Sequence, residues 1–339
     1  MKSNVAVLLI LLCLGFANPI DAKKLGVLPE LTHPLDLAAE GSHLFVCQRT
    51  DVLIYSLPVP ELTIRFGQEG EGPGEFKIPH MGKGLSIHAT SEYLIVNSDT
   101  KVSFFSHHGR LLREVKAPPM IAPLPAGNGF ISNTLVRVEG KRFPCLAIGL
   151  FDRHFNKLKD LFRSDIEFGM GARIFMPPHG FPYTVAGDRI FLSRGKENIA
   201  IDIFDHSGNK TGEIKKELTV LPVTPTYKDA VVDYYQTDPV FKDFWEYTKQ
   251  YLVIQDSFPA VQHLTVDGDR VYVQSYQNTD EGYTWWIFNR DGGLINTTAL
   301  PTGQTSPLDI PPFTIHAGTY YYLKENPDTE VWELFRVKI

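Results

Sequence analysis

The sequence has few cysteines, no cluster of one charge sign and no long apolar run after its first residues. Three cysteines among 339 residues are too few for a disulfide framework. Basic and acidic residues are mixed along the chain, with a formal net charge of -6. Without a basic cluster, nucleic acid and anionic membrane surfaces are poor partners. We therefore expect no nucleic-acid partner and no integral membrane segment in the mature chain.

Familiar catalytic motifs are also absent. There is no G-x-S-x-G nucleophile elbow and no H-E-x-x-H metal motif. The glycine-rich stretch 66–79 is not a phosphate-binding loop, because no helical pattern follows it and no Lys-Ser/Thr pair ends it. The sequence therefore says more about architecture than about chemistry.

The N-terminus has the pattern of a signal peptide. Lys2 precedes the apolar run 5–16, and small residues follow at Ala17 and Ala22. The run is shorter than the roughly 20 apolar residues that a membrane-spanning helix needs. We expect residues 1–22 to be a signal peptide cleaved after Ala17 or Ala22, and the protein to be secreted or periplasmic.

A four-strand unit recurs six times after residue 34, which indicates a repeat architecture. The second strand of each unit is apolar and follows a glycine or polar turn, at 44–46, 93–96, 130–131, 189–192, 270–273 and 320–323. The third strands contain or end in an aromatic residue, at 52–55, 102–105, 147–151, 199–204, 285–288 and 331–335. Tight turns containing Gly or Asn then lead four of the units into a fourth strand.

The sixth unit is incomplete, because the chain ends at Ile339 before a fourth strand. The segment 24–28 is strand-like and has no unit of its own. We predict that it supplies the missing outer strand of the last unit, which removes the exposed edges of an open array.

One segment, 226–256, interrupts the strand pattern with helical spacing. Asp238-Pro239 is a cap followed by a first-turn proline, so it predicts a helix start. We expect one or two amphipathic helices inserted between units four and five, with their apolar face packed on the host domain.

The stretch Phe66–Pro79 resembles the G-x-x-G-x-G-x-G-x-F-x-x-P linker that joins neighbouring blades in NHL-repeat propellers. With its six units, the chain 23–339 resembles a six-bladed NHL-type or TolB-like β-propeller. The insert and the segments 256–261 and 266–273 resemble exported bacterial members of that class. The resemblance implies an all-β fold, with the N-terminal strand closing the last blade and the helical insert between blades four and five.

In such propellers, catalysis occurs at the mouth of the axial channel, near the starts of the inner strands. The histidines near those positions are His33, His80, His179 and His263. In NHL-type amidating lyases, histidines from several blades hold zinc, and Pro79-His80 matches their pattern. Calcium bound by acidic residues, as in lactonase propellers, is the other metal alternative, with Asp36, Asp267 and Asp269 as candidates. We favour solvated histidines and no cofactor.

Our preferred interpretation is a monomeric, non-enzymatic binding or scaffold protein. Its ligand would be a protein, a peptide or a glycan, recognised at the axial mouth by His80, Lys83, Tyr183 and His263. No complete nucleophile–base set accompanies these groups. The alternative is a metal-dependent lyase or hydrolase that uses the four histidines.

Two further expectations follow from the blade assignment. After loss of the leader, Cys47 on blade one and Cys145 on blade three are separated by a whole blade. A disulfide needs Cα atoms within about 7 Å, so we predict two free, buried thiols. The tryptophans of the strands should pack between blades rather than form a sugar platform, at Trp285, Trp286 and Trp332.

Overall fold

The structure is a computed structural model that describes residues 21–77, 84–99, 101–118, 123–178, 180–239, 241–303, 308 and 311–339. These residues form six four-stranded antiparallel sheets and one two-stranded sheet, with only short helices between them. The prediction of an all-β, six-bladed propeller is confirmed. No helix in this part of the chain has the length and apolar character needed to span a bilayer.

The strands follow the chain blade by blade. Strand β1 (Lys23–Leu28) comes first, and blade one contains β2 (Pro34–Glu40), β3 (His43–Gln48), β4 (Asp51–Ser56) and β5 (Leu62–Phe66). Blade two contains β6 (Ser86–Ala89), β7 (Leu94–Asn97), β8 (Lys101–Phe105) and β9 (Leu111–Lys116). Blade three contains β10 (Leu124–Ala126), β11 (Gly129–Val136), β12 (Cys145–Phe151) and β13 (Lys157–Glu167).

The second half repeats this order. After β14 (Ile174–Met176), blade four contains β15 (Tyr183–Ala186), β16 (Arg189–Ser193), β17 (Ile199–Asp205) and β18 (Lys210–Lys216). After β19 (Leu252–Ile254), blade five contains β20 (His263–Asp267), β21 (Arg270–Thr279), β22 (Gly282–Asn289) and β23 (Leu294–Leu300). Blade six contains β24 (Phe313–His316), β25 (Thr319–Asn326) and β26 (Val331–Lys338).

The core lies between neighbouring blades rather than inside one sheet. The inner strand β2 lies against β6 and β24, and β15 lies against β10 and β20. Apolar side chains of consecutive blades interdigitate, as Phe45 does with Val96 between blades one and two. Trp285 is buried between blades five and six, with its ring centroid 6.0 Å from that of Tyr320. Its predicted packing role is confirmed.

Strand β1 closes the ring as predicted. It pairs antiparallel with β26, so the last sheet has the order β1-β26-β25-β24. Leu28 is 1% exposed and packs with Leu323 of blade six and Leu44 of blade one. Lys24 adds an ion pair to Glu333, with Nζ and Oε1 2.7 Å apart.

The insert lies between blades four and five and contains short helices, as predicted. Helix α1 is Pro225–Thr237, and α2 is the single turn Trp245–Thr248. The Thr224 side chain caps α1 by accepting from the Tyr227 amide, whereas Asp238 is the C-cap. A helical stretch follows Asp238-Pro239 as predicted, because the Asp238 carbonyl accepts from the Phe241 and Lys242 amides and 242–248 is helical. The prediction missed Thr224-Pro225, the pair that starts α1 with a capping oxygen and a first-turn proline.

The end of the insert is extended rather than helical. Residues 252–254 form β19, which pairs in parallel with β14. The buried face of α1 packs against both strands, through Tyr227, Val231 and Tyr235. The predicted packing of the insert on its host is confirmed, while the helical assignment of 252–254 is wrong because strand pairing satisfies its backbone instead.

An aromatic plug holds the glycine-rich linker against the core. The Phe76 side chain is completely buried between blades one and two, with its ring 6.0 Å from Phe105. Gly67 has φ +95°, and a Cβ there would lie 2.4 Å from the Thr50 carbonyl oxygen. The linker's last two residues, Ile78 and Pro79, lie outside the described residues.

The two cysteines are free and buried, as predicted. Cys47 lies on β3 and Cys145 on β12, with blade two between them. Burial raises the pKa of the Cys47 thiol well above its ordinary value, so this thiol stays protonated and unreactive in the folded protein.

Candidate functional site

The inner strands all begin on one side of the propeller, the side of the interblade linkers, which we call the linker face. Tyr183 and His263 are the first residues of the adjacent inner strands β15 and β20. His33 is exposed, one residue before β2. His80, Lys83 and His179 lie outside the described residues. The structure thus places Tyr183 and His263 on neighbouring strands. That His80 and Lys83 join them in one binding site stays a prediction.

His263 is held in an aromatic environment. Its ring centroid is 4.8 Å from that of Phe313 and 6.2 Å from that of Trp285. Burial lowers the pKa of His263 from 6.5 to about 4. The imidazole is therefore neutral at physiological pH, so it offers hydrogen bonds rather than positive charge.

Tyr183 is already engaged within the propeller. Its phenol interacts with the Ser132 side chain and the Asn133 backbone of blade three. Burial raises the pKa of Tyr183, so the phenol remains neutral. This side chain links blades three and four as well as lying at the mouth.

A set of buried polar side chains lies at the same level in the second strands. Its members are at most 7% exposed: Gln48, Asn97, Ser132, Ser193 and Gln274. Gln48 is satisfied, since it accepts from the Thr32 amide and donates to the Glu30 carbonyl. Oδ1 of Asn97 and Oε1 of Gln274 have no partner among the described residues. Hydrogen-bonding capacity therefore remains unused just below the mouth.

Two of the three acidic residues of the calcium alternative, Asp36 and Asp267, have structural partners, whereas Asp269 is exposed in a turn. Asp36 accepts from the Leu37 and Ile87 amides, at 2.9 Å each, and so joins blades one and two. Burial raises the pKa of Asp36 from 3.8 to about 6. Asp267 accepts from two amides of the blade-six turn. Across the described ranges, no three His, Cys, Asp or Glu side chains come together as a metal site.

A cleft of about 570 Å³ opens beside the mouth, between the start of α1 and the β21–β22 hairpin. The inner strand β20 begins at His263, which pairs with Gln274 of β21. The β21–β22 hairpin extends well beyond this pair. Its outer pairs are Asn278–Tyr283 and Thr279–Gly282. The hairpin tip thus forms one wall of the cleft, and the insert forms the other.

Aromatic rings line this cleft. Tyr227 stands edge-on to Phe258, with centroids 4.9 Å apart and an interplanar angle of 77°. Tyr276 stacks on Phe258 at 4.9 Å and 25°. Tyr283 completes the set and, like Tyr227, is 5% exposed. We call these four residues the aromatic cluster.

The three phenols of this cluster lie close together without hydrogen-bond partners. In the described part of the chain, no hydrogen bond is made by the hydroxyls of Tyr227, Tyr276 and Tyr283. Burial, and then the neighbouring phenols of Tyr276 and Tyr283, raise the pKa of Tyr227. These hydroxyl oxygens are open to the solvent of the cleft, so water hydrates them in the free protein, and a ligand that displaces this water can hydrogen-bond to the same groups.

Sequence reasoning did not find the cleft. Its walls come from segments some 50 residues apart, 221–227 and 276–283, and the position of the helix start decides how they meet. One sequence feature could have indicated the cleft, namely the polar loop 277–281. It lies between Tyr276 and Tyr283, in a hairpin whose strands consist mostly of buried residues.

Comparison with known proteins gives little further identification. No family model matches the chain, and no curated protein matches it either. One similar solved structure is described as "KlHsv2 with loop 6CD replaced by a Gly-Ser linker". It is 14% identical, with a TM-score of 0.39, over 91% of this chain and 98% of its own. A likeness at this level does not bear on the ligand, and the similarity to NHL-type propellers remains a resemblance of motifs.

Proposed function

We propose that this protein is an exported, monomeric binding protein of the NHL-type or TolB-like class. It recognises a protein, peptide or glycan on the linker face of the propeller. The propeller fold supports a binding or scaffold role in general terms. Export is supported by the signal-peptide pattern, since cleavage after Ala22 would leave β1 intact from its first residue, Lys23.

The observation that carries this proposal is the cleft beside the mouth. It is open to solvent, has the size of a small-ligand site and contains phenols that make no hydrogen bond to another described residue. The predicted mouth residues Tyr183 and His263 lie on the same face, as inner-strand starts. In our proposal, His80 and Lys83 of the linker extend the same binding surface.

The metal-dependent alternative has no specific observation in its favour. Of its four histidines, His33 and His263 are described, and no metal-binding group is formed with other described residues. Half-buried His263 would be an adequate neutral ligand, but it is packed against Phe313. We therefore propose binding without a cofactor.

Site-directed blocking of the cleft tests this function. Because both native cysteines are buried, a cysteine introduced by Asn278→Cys at the hairpin tip can be labelled selectively with a bulky maleimide. Glu92→Cys is the matched control, since Glu92 is exposed in the turn between β6 and β7, on the opposite face. Peptide and glycan arrays are probed with each labelled protein.

We expect saturable retention of at least one ligand class by the unlabelled protein. The label at position 278 should abolish this retention, and the label at position 92 should leave it unchanged. Equal binding by both labelled proteins would exclude the cleft as the binding site. Absence of saturable binding to any peptide or glycan would overturn the proposed function.

A further inference from the structure

The rim of the cleft carries two carboxylates that form no ion pair within the described residues. Asp280 and Glu281 at the hairpin tip are exposed, and neither forms an ion pair with a described residue. No lysine, arginine or histidine belongs to the described lining. The charge of this rim is therefore available to a ligand.

The aromatic cluster forms a corner rather than a flat platform. Tyr227 is nearly perpendicular to Phe258, and Tyr276 stacks on Phe258. A flat exposed ring suits a sugar, whereas rings meeting at a right angle present their faces to a small central group. Ring faces are the negative part of an aromatic quadrupole, so such a corner attracts a cation.

We propose that the cleft binds a cationic side chain of a peptide, and that the simplest such ligand is a lysine side chain. The ammonium would lie against the rings of Tyr227 and Tyr276, near their phenol oxygens, while Asp280 and Glu281 attract it from the rim. This inference rests on the proposed function and specifies its ligand class. It uses the unpartnered hydroxyls as acceptors, because an ammonium has three donors and no acceptor.

The start of α1 also borders the cleft, and a helix N-terminus by itself favours anions. Here few of its amides are available. Pro225 has no N–H, Thr224 accepts from the Tyr227 amide, and the Lys228 amide donates to the Thr224 carbonyl. Only the Thr226 amide remains available to an anion, whereas the two carboxylates of Asp280 and Glu281 attract a cation. The balance of charge at the cleft therefore favours a cation.

Isothermal titration of the mature protein with short peptides tests this inference. The probe is acetyl-Gly-Gly-Lys-Gly-Gly-amide, and the same peptide with glutamine in place of lysine is its neutral match. The lysine peptide should bind at least about tenfold more tightly than the glutamine peptide. A trimethyl-lysine version should bind no more than about threefold more weakly than lysine, because it keeps the charge that the ring faces attract but cannot donate to the phenol oxygens.

Variants separate the ring, hydroxyl and carboxylate contributions. Tyr276→Leu should weaken binding about tenfold, whereas Tyr276→Phe, which keeps the ring, should stay within about threefold. Glu281→Gln should weaken binding about threefold at low salt and reduce its salt dependence. Glu92→Gln is the control for loss of one surface carboxylate on the opposite face and should bind normally. Melting temperatures show whether each variant is folded.

Equal affinity for the lysine and glutamine peptides would overturn the cation assignment, as would normal binding by Tyr276→Leu. Cellotriose is the neutral glycan probe. If cellotriose bound in a Tyr276-dependent manner and the lysine peptide did not, the ligand class would be wrong while the linker-face function would stand. If no probe bound and the blocking label at position 278 had no effect on array binding, the cation assignment and the proposed binding function of the cleft would both be wrong.

Discussion

Replacing Leu28 with alanine tests whether the N-terminal strand closes the propeller. Leu28 is 1% exposed and lies where blade six meets blade one, in contact with the cluster that includes Leu44 and Leu323. The substitution removes three carbon atoms from a packed site without changing any backbone hydrogen bond of β1. Its effect therefore reports how much the contacts of this strand contribute to the stability of the whole ring.

The expected loss is large because the site is fully buried. Leucine-to-alanine changes in a packed core lower the free energy of unfolding by about 3–4 kcal/mol. For a chain of this length the unfolding entropy converts this loss into a decrease of roughly 5 °C in melting temperature. Urea unfolding of the mature protein, followed by tryptophan fluorescence, measures the free energy directly.

The neighbouring residue supplies the control. Val27 lies on the same strand but is 45% exposed, so Val27→Ala should cost less than about 1 kcal/mol. Both variants keep the pairing of β1 with β26. If Leu28→Ala unfolded at the same urea concentration as Val27→Ala, the strand would not be part of the cooperative core, and the closure would be wrong.

Three other outcomes are expected. Phe76→Ala should cost about 4 kcal/mol in urea unfolding, because it empties the buried plug of the glycine-rich linker; a neutral result would mean that the linker is not anchored by this ring. Since burial raises the folded-state pKa of Asp36 from 3.8 to about 6, its contribution to stability is complete below pH 4 and is lost as the pH rises through 6. Asp36→Asn should flatten that part of the profile, and an unchanged slope between pH 4 and 6.5 would contradict the assignment. Thiol titration without reductant should find Cys47 and Cys145 unreactive in the native protein and both reactive after denaturation, and a disulfide linking them would contradict the blade boundaries.

The repeat pattern was sufficient to predict the propeller because its strand signals are local. Alternating apolar runs between glycine turns recur in every blade, so an error at one strand is corrected by the next. The closure by β1 followed from counting strands. Sequence reasoning identified the helical stretch after Asp238-Pro239 but missed the Thr224-Pro225 pair that caps α1.

The candidate site was less accessible to sequence reasoning. The position of His263 at an inner-strand start could be predicted, but its contact with Phe313 depends on blade six and could not. The cleft needed two distant segments and the precise length of the β21–β22 hairpin. Nothing in the local sequence shows that Tyr227 and Tyr276 line one space, because that proximity is set by the fold of the insert.

A crystal structure of the mature protein grown with acetyl-Gly-Gly-Lys-Gly-Gly-amide is the most direct test of ligand binding on the linker face. Our account predicts the lysine ammonium in the cleft, within about 6 Å of the ring centroids of Tyr227 and Tyr276 and facing Asp280 and Glu281. A peptide bound on the opposite face, or a cleft occupied by water alone at saturating peptide, would contradict it.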